Sequence, residues 1–107
     1  MRVKVYELKN EGGQVFAFEI SKPVGGRRRV CSIVRGIPGA KLTKTPRFLS
    51  WFREEKFCEF DIGDVKFEAF EPFGDNSRFW IGPKDAPTWH PEIEEVLQAF
   101  SGKRERP

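Results

Sequence analysis

Histidine is almost missing from this chain, and that absence narrows the chemistry open to it. His90 is the one imidazole among 107 residues, placed between Trp89 and Pro91 where a helix begins, and a structural duty at that helix start suits it best. No nucleophile-elbow or CGxC-like context surrounds any serine or cysteine, so a catalytic triad has no footing. The only cysteines, Cys31 and Cys58, are far apart in sequence and lack the CxxC pairs that fix a zinc ribbon or mark a disulfide scaffold. They read as reduced core residues. No metal, no cofactor and no catalytic residue is expected.

Long apolar runs are missing too. Arg2 and Lys4 interrupt Val3, Val5 and Tyr6, so the start has neither the continuous stretch of a signal peptide nor that of a membrane span. A soluble, cytoplasmic protein without membrane contact is the expectation. The glycines Gly25 and Gly26 lack GxGxxG or GxxxxGK spacing, which argues against a nucleotide loop. A carboxylate pair is present in Glu59 and Glu68, but on an exposed strand face it reads as solvated charge, not as an acid-base dyad.

The third absence is the most informative. From Ser21 to Arg53 there are nine basic residues and no carboxylate. Residues 1 to 53 carry twelve Lys or Arg against three Asp or Glu, and residues 54 to 107 seven against thirteen. Such asymmetry either packs as an internal charge match or presents a basic surface to a partner. The Gly-Gly turn followed by Arg27, Arg28 and Arg29 can offer amides and guanidinium forks to an anion, with Lys41, Lys44 and Arg47 extending the surface.

What is abundant is phenylalanine, eleven residues of it, which marks a folded chain with a core. Residues 1–107 read as one domain with a flexible tail at 101–107. Met1 to Leu8 and Gln14 to Ile20 read as a hairpin in which Val5 meets Phe16, Val3 meets Phe18 and Arg2 meets Glu19. Arg28 to Val34, apolar on both parities, reads as a central third strand, followed by a loop over Ala40 to Thr45. Thr45 and Pro46 open either a two-turn helix through Phe48, Leu49 and Phe52 or an aromatic strand.

The segment Phe57 to Glu71 folds about a Gly63–Asp64 turn. It pairs Ile62 with Val65, Phe60 with Phe67 and Cys58 with Ala69, and on the other face Asp61 with Lys66, Glu59 with Glu68 and Phe57 with Phe70. Arg78 to Ile81 form a short strand stopped by Gly82 and Pro83. A last helix begins at Pro91, with Ile93, Val96, Leu97 and Phe100 on one stripe. The fold class is therefore α+β: a predominantly antiparallel sheet of about six strands, open or curled towards a barrel, with a C-terminal amphipathic helix and a short middle helix.

Strand alternation also puts Tyr6, Phe57, Phe70 and Trp80 on the face away from the core, beside Arg78. The functional expectation is a non-catalytic binding domain for a macromolecule, favoured as a protein or a polyanion. Its contact residues would be Arg27, Arg28, Arg29, Lys41, Lys44 and Arg47 on the basic side, and Phe73, Arg78 and Trp80 on the aromatic side. Nucleic-acid binding through residues 21–53 is the alternative, and a small enzyme of unknown reaction the third class.

Overall fold

A computed structural model describes residues 4–44, 56–71 and 78–101. The order of elements is β1 (Val5–Lys9), β2 (Val15–Ser21), α1 (Gly26–Arg35), β3 (Ala40–Lys44), β4 (Lys56–Ile62), β5 (Val65–Phe70), β6 (Arg78–Pro83) and α2 (Ile93–Ser101). The six strands form one antiparallel sheet in the order β1-β2-β6-β5-β4-β3. Since β1 and β3 are its two edges, the sheet is open and not a barrel. The α+β class and the terminal helix stand as expected.

Both helices cover the same face. Val30, Cys31 and Val34 of α1 and Ile93, Val96 and Phe100 of α2 share one buried cluster with Phe18, Ile20, Phe60, Phe67, Phe79 and Ile81. Those strand residues all have the same alternation parity, so the opposite face carries no described helix. Phe18 meets the Phe100 ring at 5.7 Å, and Phe60 stacks on Phe67 at 5.3 Å.

The expected third strand is a helix. Val30, Ile33, Val34 and Ile37 stand at i, i+3, i+4 and i+7, which is a helical stripe as much as a two-sided strand. Their β-branched side chains favour a strand locally, but packing on the sheet decides in favour of the helix. Its end is set at Gly36, whose N–H donates to the Ile33 carbonyl, while the Ile37 N–H donates to Val34. The expected loop at Ala40 is instead β3, with Ala40 and Leu42 packed against the core and Lys41 exposed.

In the first hairpin the register differs from expectation by four residues. Val5 pairs with Ile20, Tyr6 with Glu19, Glu7 with Phe18 and Leu8 with Ala17. The cause lies in the turn, where the Asn10 side-chain oxygen accepts from the N–H groups of Gly12 and Gln14, and the Asn10 N–H donates to the Gln14 carbonyl. An even shift leaves every side chain on its expected face. Hydrophobic pattern is blind to it.

The β4–β5 hairpin has the expected register from Ile62–Val65 through Cys58–Ala69, on a turn whose Gly63 adopts φ +61° while Asp64 does not have positive φ. That is the corner a type II′ turn requires. Phe57 is the exception. An irregularity between Lys56 and Cys58 puts Lys56 opposite Phe70 and turns Phe57 fully into the core, 4.9 Å from the Phe79 ring.

β6 also runs further than expected, through Gly82 to Pro83. Pro83 is tolerated as the last residue of the strand, after which the Lys84 N–H continues the contact by donating to the Lys66 carbonyl. Gly82 is needed for space, because a Cβ there would lie 2.6 Å from Ala17 Cβ and 2.7 Å from the Trp80 ring. Gly82→Ala is expected to cost about 1–3 kcal/mol in a thermal or urea melt. Adding Ala17→Gly should recover part of that loss, since the indole can swing aside and the Ala17 methyl cannot.

The expected short helix after Thr45 and residues 102–107 of the expected tail lie outside the described residues, while Ser101, counted with that tail, is the last residue of α2. α2 is as the sequence suggests, opening with tight bonds from the N–H groups of Ile93, Glu94 and Glu95 to the carbonyls of His90, Pro91 and Glu92.

Candidate anion-binding face on helix α1

Helix α1 sorts its own sequence into two faces. Val30, Cys31 and Val34 are buried, whereas Arg28, Arg29, Ser32 and Arg35 are exposed. At 100° per residue the exposed four fall within a stripe about a third of the circumference wide, and Arg28 and Arg35 are about 10 Å apart along the axis. None of the three arginines forms an ion pair with another described residue. A guanidinium without a partner among the described residues, on a helix without carboxylates, can take up an outside anion.

Arg27 has a different fate. Its Nη2 donates to Glu71 Oε1 at 2.7 Å, Lys22 Nζ donates to Glu71 Oε2 at 2.6 Å, and the guanidinium lies 5.1 Å from the centroid of Phe57. Here the internal charge match holds, joining the basic segment to the end of β5. The two bonds from Arg27 and Lys22 hold the Glu71 carboxyl below its ordinary value of 4.5. A depressed carboxylate pKa gives stability that is complete above pH 4.5 and disappears as pH falls through the folded-state value. Glu71→Gln is therefore expected to cost about 1 kcal/mol or less at pH 7, and urea melts of the two proteins should converge in acid.

The remaining sequence-derived contact residues are dispersed. Lys41 is exposed on β3 and Lys44 ends that strand, at the sheet edge that α1 overlies. Arg47 and Phe73 lie outside the described residues. On the far face of the sheet, Arg78 sits 3.6 Å above the Tyr6 ring and bonds Glu19 Oε1 at 3.1 Å, while Trp80 stacks on Phe70 at 4.7 Å. These aromatics are only half-exposed. Phe57, expected among them, is in the core.

Arg35 was not singled out by the sequence reading, because a strand assignment separates it from Arg28. The spacing Arg28, Ser32, Arg35 was the available signal, and it has meaning only on a helix. The neighbouring helix α2, which packs on α1, exposes Glu94 and Glu95.

Among the described residues the chemistry-bearing side chains do not converge. His90 Nε2 lies 3.0 Å from Asp85 Oδ1 and 3.1 Å from Oδ2, engaged with a local carboxylate. Glu59 accepts a bond from Lys84 Nζ at 2.6 Å, and that carboxylate holds the lysine ammonium above its ordinary value. Glu68, expected in water, is 93 % buried, its exposure being 7 %. Among the described residues no group of three His, Cys, Asp or Glu is placed to hold a metal ion, and no helix is long and apolar enough to cross a membrane. No family model, curated protein or solved structure matches the chain.

Proposed function

We propose that this chain is a non-catalytic binding domain that docks a polyanionic macromolecule on the exposed face of α1. The observation that carries this reading is the set Arg28, Arg29 and Arg35: three exposed guanidiniums on one helix face, unmatched by any described carboxylate. Lys41 extends the positive charge along the adjoining sheet edge. Arginine suits the role because its planar fork binds phosphate or sulfate oxygens in pairs.

The far sheet face supports a partner less well. Its largest anchors are engaged inside the molecule, Trp80 with Phe70 and Arg78 with Tyr6 and Glu19. The test is a salt titration with fluorescent single-stranded RNA and with heparin. Three phosphate contacts predict a slope of log affinity against log salt of about −2 to −3. Binding that ignores salt, or no binding to either ligand, would refute the proposal.

A further inference from the structure

The basic face offers nothing on which an unpaired base could stack. Neither α1 nor β3 contains an aromatic residue, whereas Tyr6, Trp80 and Phe70 form one row on the opposite face of the sheet. Proteins that hold single strands without sequence preference lay the bases on such rings beside a basic groove. On α1 a single strand meets charge and no platform.

What the face does carry is spacing. Arg28, Ser32 and Arg35 stand at i, i+4 and i+7 along the exposed side, and Arg29 is about 100° round the helix from Arg28. Arg28 and Arg35 are about 10 Å apart along the axis, and the aliphatic stems extend the reach of both guanidiniums. The major groove of B-form DNA is about 12 Å wide between the phosphate rows that flank it. Two arginines so placed reach both strands of one groove, and the short Ser32 between them spans the open middle. Duplex RNA does not fit the same face, because its major groove is deep and narrow and its recognition runs through 2′-hydroxyls in a shallow minor groove.

The helix meets a duplex at its edges and goes no deeper. Its inner side is buried against the sheet and α2 packs against it, which leaves the outer stripe for a partner. That stripe holds three arginines and a serine, without the asparagine or glutamine that reads adenine. Contact is therefore with the phosphate backbone, which carries no sequence information.

We propose that α1 docks double-stranded DNA through the phosphates on either side of the major groove, without sequence preference. This rests on the anion-binding reading above and narrows it to one polyanion. Charge density favours the duplex as well, since counterion release gives a salt slope of about −0.9 per phosphate contact on B-form DNA against about −0.7 on a single strand. Three contacts then give about −2.7 against about −2.1, a difference that amounts to about sixfold in affinity between about 1 M and about 50 mM salt.

The experiment follows fluorescence anisotropy as the full chain binds a labelled DNA duplex of about 20 base pairs, its single strand, the RNA duplex of the same sequence, and heparin, between about 50 and about 300 mM salt. Expected is duplex DNA bound about fivefold more tightly than the single strand at the lowest salt, and more tightly than duplex RNA, with a slope near about −2.7. Two duplexes of unrelated sequence should bind within about twofold of one another, and Arg28→Ala and Arg35→Ala should each flatten the duplex slope by about 0.9. Single-stranded DNA or duplex RNA bound as tightly as duplex DNA, with heparin still bound in a salt-dependent way, would overturn this inference and leave the anion-binding reading standing. A preference of about tenfold or more for one sequence would also overturn it, because that requires contacts to base edges. Absence of binding to every ligand, heparin included, would overturn both.

Discussion

Replacing Phe100 by alanine is expected to lower the melting temperature by about 20 °C, from a loss of about 3–5 kcal/mol. The ring is 2 % exposed, ends the apolar stripe of α2, and meets Phe18, itself fully buried in β2. α2 packs on β2 and on α1, with Ile93 and Val96 beside Phe100 in the same core. Domains of this size are stable by roughly 5–15 kcal/mol, so the loss is a large share of the whole. Phe100→Leu, which keeps most of the volume, should lose less than half as much. A melt that is unchanged in the alanine variant would mean that α2 is dispensable for the core.

The second large effect concerns binding. Changing Arg28, Arg29 and Arg35 together to alanine is expected to weaken RNA or heparin affinity by about a hundredfold at low salt, from about 1 kcal/mol per exposed ionic contact. It should also flatten the salt dependence by two to three in slope. All three side chains are exposed and alanine is the strongest helix former, so the thermal melt should move little. Arg27→Ala is the informative contrast, because that residue holds Glu71 and covers Phe57. It should lower the melt and leave the salt slope nearly unchanged. Equal binding by the triple variant would remove α1 as the docking face.

Much of the fold was legible in the sequence, and the exceptions have physical reasons. The β4–β5 hairpin could be read pair by pair because a Gly63 turn and strict alternation select the same register. The stripe of α2 was equally plain, since Ile93, Val96, Leu97 and Phe100 fit only the helical period. Helix α1 was not, because Val30, Ile33 and Val34 are β-branched and satisfy strand and helix alike; the sheet beneath them makes the choice. The slip in the first hairpin escaped notice for a different reason. Its error was even, and a two-residue period carries no information about even errors.

The candidate site was partly legible. A carboxylate-free basic segment was visible in composition, but which of its charges are free was not, because Glu71 comes from a strand more than forty residues away and neutralises Arg27 and Lys22 only in the folded chain.

The position of β6 between β2 and β5 has a consequence for how the molecule assembles. Each flanking hairpin closes over a short turn and can form early, but the ladder Phe18–Ile81 to Ser21–Arg78 joins residues from the two ends of the chain. Contacts so distant are costly in loop entropy and slow to find, so the pairing of β6 with β2 is the step expected to limit the folding rate, which a mutation confined to that ladder should slow in stopped-flow refolding. A nascent chain that has not yet reached Pro83 exposes the inner edges of both hairpins, and the last quarter of the sequence makes them one sheet.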